Sequence, residues 1–276
     1  MFRFGFSNSD EDSEVSAKSD TGVSGEVEWL PAAEIFPATT AAHVNQSTST
    51  ITCGKYQLKH VDPMTIPCDL VCEAERLHSD LLPAKYEGGL KIWECTSDLA
   101  NYVLEEGVVL RGKRVLDLGC GAGILGILAM HLGASTVHFQ DYNSSVLTST
   151  TIPNMILNCA ELQDMVSTRF FSGDWTSFVQ LLEKENNKYD CILTSETIYN
   201  PDNHAKLLNV FNNCLHNHGH VYLAAKTYYF GVGGGTRQFE TLIAEDGVFK
   251  STVCWRCSKG VQREILQITF NRELKE

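Results

Sequence analysis

At 276 residues, with 43% apolar content and a net charge of −12, the chain can bury one full core and is too acidic for direct nucleic-acid binding. No apolar run nears the roughly 20 residues that cross a bilayer. The opening MFRFGFSNSDEDSEV has neither the apolar block of a signal peptide nor the acid-poor, Arg-rich character of a transit peptide. Ten cysteines scattered through apolar segments suit a reducing compartment, so the cytosol is the expected location, with the nucleus or nucleolus as the alternative.

Residues 1 to about 50 carry eight acids against Arg3 and Lys18, which gives −6, half of the total charge, without apolar periodicity. This composition predicts a disordered acidic tail. Residues 51–85 read as a short strand and a helix capping the domain to come. From residue 86 to 276, apolar strands alternate with amphipathic helices. RVLDL, TVHFQD, STRFF, YDCILT and GHVYLAA have strand length, while GILGILAMHL has helical spacing and stops at Gly133. Such alternation predicts right-handed crossovers and a parallel sheet covered on both faces. FKSTVCW and REILQITF are separated only by RCSKGVQ, too short for a crossover helix, so they form an antiparallel hairpin. The expected fold is α/β: a seven-stranded, Rossmann-like, mostly parallel sheet with a C-terminal antiparallel hairpin and helices on both faces.

The turn after RVLDL holds Gly121, Gly123 and Gly126 in the spacing G-x-G-x-x-G, and Asp141 follows about 20 residues later at the end of the second strand. The motif alone permits a dinucleotide enzyme. Asp117 argues against one, because a carboxylate facing a pyrophosphate in a partly dry site costs several kcal/mol. A cationic cofactor without phosphate suits it better, and S-adenosylmethionine, with its ammonium and sulfonium, has that charge. Asp141 can accept both hydroxyls of a ribose. In SGDW, Gly173 admits a base close to the backbone, Asp174 can accept from an adenine amino group, and Trp175 can pack on the ring.

The fourth strand ends in TSETIYNP, which places Ser195, Glu196, Tyr199 and Asn200 at the edge of the crevice as substrate-side groups, with Asn200 and Pro201 also fitted to cap a helix. Upstream, Gly88 and Gly89 open a helix that carries Trp93, Glu94 and Thr96 toward the same edge. The glycine run in KTYYFGVGGGTRQF lacks the Gly-Lys-Ser/Thr of a phosphate loop and reads as a mobile loop with Lys226, Tyr228 and Tyr229 at its rim. His216, His218 and His220 fall at the opposite end of the sheet, in a solvated turn. Cys68, Cys72, Cys254 and Cys257 lack the compact knuckles of a zinc site, and no metal is expected.

Taken together, YEGGLKIWECTSDL, VLDLGCGAGILGI, HFQDYNS, RFFSGDW, ILTSETIYNPD and YYFGVGGG resemble the histidine protein methyltransferases of the seven-strand S-adenosylmethionine-dependent superfamily. The resemblance covers residues 80 to 276. It implies cofactor contacts from Ile92, Trp93, Glu94, Cys95 and Thr96, from Gly119, from Gln140, Asp141 and Tyr142, from Gly173, Asp174 and Trp175, and from Ser195. It also implies methylation of the tele nitrogen of a histidine in a large-subunit ribosomal protein, a basic partner for an acidic chain. A monomer without membrane contact is expected.

Methyl transfer needs an unprotonated nucleophile in line with the bond that breaks. An imidazole is mostly neutral at pH 7, whereas a lysine must first lose a proton. An acceptor for the other ring N–H would fix the tautomer and take up developing charge. Glu196 is the first candidate and Asn200 the second, with Tyr199 and Trp93 as pocket walls. The competing readings are a lysine or small-molecule methyltransferase on the same fold, a non-catalytic module that senses cofactor while holding a ribosomal protein, and, disfavoured by Asp117, an NAD oxidoreductase.

Overall fold

The computed structural model describes residues 29–37, 47–66 and 84–271, apart from 163, 164, 184, 186 and 187. Cys68 and Cys72 lie outside the described residues. Ten strands are present among these residues: β1 (Ala33–Ile35), β2 (Thr48–Cys53), β3 (Tyr56–Val61), β4 (Arg114–Leu118), β5 (Thr136–Asp141), β6 (Ser167–Ser172), β7 (Tyr189–Ser195), β8 (Leu215–Lys226), β9 (Phe249–Arg256) and β10 (Arg263–Phe270). Eight of them form one sheet in the order β1-β6-β5-β4-β7-β8-β10-β9, and β2 with β3 makes a separate hairpin. The core of the sheet, β6-β5-β4-β7-β8, is parallel, and β10 enters antiparallel between β8 and β9.

The strand residues alternate between two cores, as a pleat of period two requires. Val115, Phe170, Leu193, Ala224 and Ile265 face one layer. Leu116, Phe171, Ile192, Leu223 and Leu266 face the other. The first layer is covered by α1 (Glu94–Glu105), α2 (Ile124–His131) and α3 (Ile152–Cys159), and the second by α4 (Trp175–Glu183), α5 (His204–Cys214) and α6 (Thr236–Asp246). Burial on both sides explains why these strands read as continuous apolar runs. Gly126 sits where α2 crosses β5, and a Cβ there would lie 2.2 Å from Cε1 of Phe139. Only a glycine permits that approach.

Ahead of α3, a π-helical turn over Leu147–Thr151 leads into Pro153, which has no N–H to give to the preceding turn. The turn brings the Thr151 hydroxyl to the Gly121 carbonyl at 2.6 Å, which ties this helix to the glycine loop.

Two expectations are corrected. Among the described residues the sheet has eight strands, because β1 pairs antiparallel with β6, Ala33 opposite Ser172. Residues 29–37 and the start of β2 are thus part of the folded body, and the rest of the expected tail, residues 1–28 and 38–46, lies outside the described residues. The acidity of that stretch misleads, since Glu34 is a structural ion partner: its carboxylate accepts from Arg169 at 2.7 Å. β2 and β3 form a hairpin that docks on α3, Lys59 and Val61 donating to Asn158 and Asn154 at 2.8 and 2.7 Å, and residues 67–83, which include most of the expected capping helix, lie outside the described residues. No helix among the described residues is long and apolar enough to cross a membrane. His216, His218 and His220 lie exposed at the N-terminal end of β8, away from the strand ends that carry the site.

Candidate functional site

A cleft of about 910 Å³, counted with the space that opens to solvent, runs along the C-terminal ends of β4, β5, β6 and β7. Its floor is the glycine turn after β4. Gly121 adopts φ +49°, and a Cβ there would stand 2.8 Å from the Gly89 carbonyl, so two glycine-bearing segments meet with no room for a side chain. The Asp141 carboxylate fixes the turn: one oxygen accepts from the Gly121 N–H at 2.9 Å, the other from the Asn143 N–H at 3.1 Å. Burial pushes its pKa up to about 6 despite these donors. Each oxygen keeps a further lone pair, so two hydroxyls can still bind.

Asp117 is corrected. It does not line the cleft. Strand alternation puts it on the face shared with Val115, beneath α2, where its carboxylate accepts from the Gly126 N–H at 2.8 Å. Desolvation raises its pKa to about 8. Its role is to hold the start of α2 against β4, and no cofactor charge explains it. Gln140 also lies behind the cleft wall: its side chain donates to the Gly173 carbonyl at 2.8 Å and accepts from the Trp175 indole at 2.9 Å, joining the loops after β5 and β6. Glu94, Cys95 and Asn200 are likewise absent from the lining. Glu94 is half exposed, Cys95 is buried in the core, and the Asn200 side chain accepts from the Asp202 N–H at 3.0 Å, so its cap is its use.

The structure brings together the other expected residues: Ile92, Trp93, Thr96, Gly119, Gly121, Asp141, Tyr142, Gly173, Asp174, Trp175, Ser195, Glu196 and Tyr199 all line the cleft. Both Asp174 oxygens are engaged, one with the Thr176 N–H at 2.9 Å and one with Lys206 at 2.6 Å. Thr96 and Ser195 share a hydrogen bond of 2.9 Å, closing α1 onto the end of β7.

Glu196 is the most distinctive of these groups. Its backbone is left-handed at φ +59°, a strained setting for a side chain with a Cβ, and its side chain is only 4% exposed. One oxygen accepts from the Tyr229 hydroxyl at 2.5 Å. The other, Oε1, has no hydrogen-bond partner and lies 3.6 Å from the Lys226 ammonium. Lys226 and Tyr229 are buried behind Glu196, which corrects their expected place at a loop rim; Tyr228 is half exposed. Lys226 also reaches Glu94 at 3.6 Å and lies 5.4 Å from the Trp93 ring centroid.

Sequence reasoning missed Glu87 and Trp29, both of which line the cleft. Glu87 accepts from the Tyr199 hydroxyl and from the Ala84 N–H at 3.0 Å, and burial raises its pKa to about 7. Its place beside Gly88 and Gly89 was a signal. For Trp29, with partners over a hundred residues away, the sequence offers none.

Comparison with known proteins agrees with this geometry. A family model described as lysine methyltransferase matches residues 83–231. The histidine protein methyltransferase 1 homolog of Bos taurus is 43% identical over 225 residues, covering 73% of this chain and 60% of its own length. The homolog of that name in Dictyostelium discoideum is 48% identical over 165 residues, covering 60% of this chain and 52% of its own. This chain therefore spans about half to three-fifths of these relatives. A solved S-adenosylmethionine-dependent methyltransferase of Agrobacterium tumefaciens shares the fold, with a TM-score of 0.53 at 14% identity over 83% of this chain and 72% of that one. By the extent of the family match, more than half of its length, the chain belongs to this family of methyltransferases.

Proposed function

We propose that the protein is a protein-histidine N-methyltransferase that uses S-adenosylmethionine and acts on the tele nitrogen of a histidine in a basic large-subunit ribosomal protein, as a monomer in the cytosol or nucleus. The observation that carries this reading is the buried Glu196 carboxylate in the cleft wall, with Oε1 lacking a hydrogen-bond partner.

The cleft fits the cofactor. Asp141 has two lone pairs for ribose hydroxyls, the glycine turn leaves the backbone bare, and Trp93, Tyr142 and Trp175 supply apolar walls. When bound, S-adenosylmethionine supplies the methyl group and departs as a neutral thioether.

Glu196 selects the acceptor. An imidazole that donates its Nδ1–H to Oε1 presents its tele nitrogen unprotonated, and the carboxylate takes up the positive charge as the new N–C bond forms. A lysine ammonium in the same place would be held protonated by the carboxylate and kept from attacking. Lys226, 3.6 Å from Oε1, pairs with Glu196 inside the protein, and it also reaches Glu94, which is half exposed. Tyr229 is a positioning residue, holding the other Glu196 oxygen at 2.5 Å. The family model's description points to lysine, whereas the two relatives are named for histidine; a carboxylate beside the acceptor favours the latter.

The net charge of −12 supports a basic partner. Incubating the protein with purified large-subunit ribosomal proteins and methyl-labelled cofactor, then mapping the label by mass spectrometry, tests the substrate. The expected result is one histidine in one protein; label spread over many proteins, or in none, contradicts the assignment.

A further inference from the structure

Trp29 lies outside residues 83–231 matched by the family model, yet it forms part of the cleft wall. Its chain is fastened to the two loops that flank the cleft at that end. The Leu30 N–H donates to the Tyr142 hydroxyl at 3.1 Å, the Asp174 N–H donates to the Leu30 carbonyl at 2.8 Å, and the Ala32 N–H donates to the Ser177 hydroxyl at 2.8 Å. Gly173 makes the docking possible: at φ +101°, a Cβ there would stand 2.4 Å from the Pro31 carbonyl. Trp29 itself meets Tyr142 edge-on at 6.1 Å, and the Lys206 ammonium lies 3.3 Å from its ring centroid while pairing with Asp174.

The position in the sheet says which part of a ligand Trp29 would meet. Asp141, at the end of β5, is the ribose acceptor, and β6 lies on the side away from Ser195 and Glu196. A base attached to that ribose and extending over β6 enters the space walled by Tyr142, Trp175 and Trp29. Each Asp174 oxygen already accepts one hydrogen bond, and the three aromatic rings supply the apolar surface on which a base can pack.

The geometry points to Trp29 as an adenine-contacting residue delivered by β1, so that docking of the N-terminal segment and binding of an adenosine-containing ligand form one linked equilibrium. This rests on the cofactor reading above. An aromatic ring packed on a base contributes enough that its removal weakens binding about fivefold or more. A ligand that binds only when the segment is docked must also stabilise the docking.

The test uses S-adenosylhomocysteine and the full chain. Calorimetric titration of the parent, Trp29→Phe and Trp29→Ala is expected to give a Kd raised at least fivefold for Trp29→Ala and within about twofold of the parent for Trp29→Phe. Hydrogen exchange of the parent is expected to slow at the Leu30 and Ala32 amides when the ligand is added. An unchanged Kd in Trp29→Ala overturns the inference and leaves the cofactor reading intact, as does ligand-independent exchange at both amides with Kd equal in all three proteins. A parent that fails to bind S-adenosylhomocysteine overturns the cofactor reading itself. Ligand-free exchange at the same amides in Trp29→Ala separates the effects: a raised Kd with protection equal to the parent's assigns the loss to the ring, and a raised Kd with that protection lost overturns the adenine contact.

Discussion

The two halves of the cleft are built on opposite terms. At the ends of β4 and β5 the polar groups satisfy one another: Asp141 accepts two backbone N–H groups, Gln140 spans two loops, and Asp117 is closed off beneath α2. At the end of β7 a buried carboxylate keeps one oxygen without a hydrogen bond, on a backbone in the left-handed region. That oxygen lies 3.6 Å from the Lys226 ammonium, and the backbone strain costs on the order of 1–3 kcal/mol. On the proposed reading, the first half is preorganised for the cofactor and the second keeps an acceptor that an N–H donor from a substrate would complete.

The sharpest way to break this contrast is Glu196→Gln. The amide keeps the size but loses the charge that answers the developing imidazolium, and loss of such a group lowers kcat by roughly 10²–10³. Steady-state kinetics with S-adenosylhomocysteine titration in parallel should show that fall with Kd changed less than about twofold; equal losses in both would merge the two halves into one.

Asp141→Asn is the converse. Removing the charged acceptor of two hydroxyls should raise Kd by about a hundredfold, and the effect has a pH signature. With a pKa near 6, Asp141 protonates as pH falls from 7 to 5, and affinity should weaken by up to about tenfold per unit below 6. The same titration acts on the ligand-free fold with the opposite sign. A carboxyl whose pKa is raised on folding favours the folded state at low pH and loses that contribution as pH rises through about 6. Affinity that falls between pH 7 and 5 in the parent and stays flat in Asp141→Asn assigns the titration to this group.

The smallest effect is expected at Asn200, which separates the substrate half from its scaffold. Asn200→Ala removes a cap and should cost about 1 kcal/mol of stability in urea denaturation, with kcat unchanged in the folded protein. A large fall in kcat would return Asn200 to the site.

What the sequence made legible follows from how local each signal is. The glycine turn, Asp141, SGDW and the polar end of β7 announce themselves because a strand end, a turn and a helix start are neighbours in the chain. The five central strands and the closing hairpin are legible for the same reason, since burial on both faces writes itself as continuous apolar runs. Asp117 misleads because proximity to the glycines says nothing about which face of β4 it takes. Its pleat position sends it under α2, and a helix N–H, not a cofactor, is its partner. Lys226 and Tyr229 look like loop residues, yet the chain folds them inward behind Glu196, 30 and 33 positions earlier in sequence. β1 is three residues long, too short for any period, and its acidic Glu34 answers an arginine in β6. Contacts of that range lie beyond local pattern, and they supply the wall that carries Trp29.

The central claim is that the Glu196 end of the cleft accepts a neutral imidazole. The most direct measurement incubates the parent and Asp141→Ala with methyl-labelled S-adenosylmethionine and an extract of cells lacking the enzyme, then hydrolyses the labelled protein to free amino acids. The account predicts label in tele-methylhistidine, absent with Asp141→Ala. Label in methyllysine would contradict it, because a lysine would then be losing its proton beside a carboxylate that should hold it.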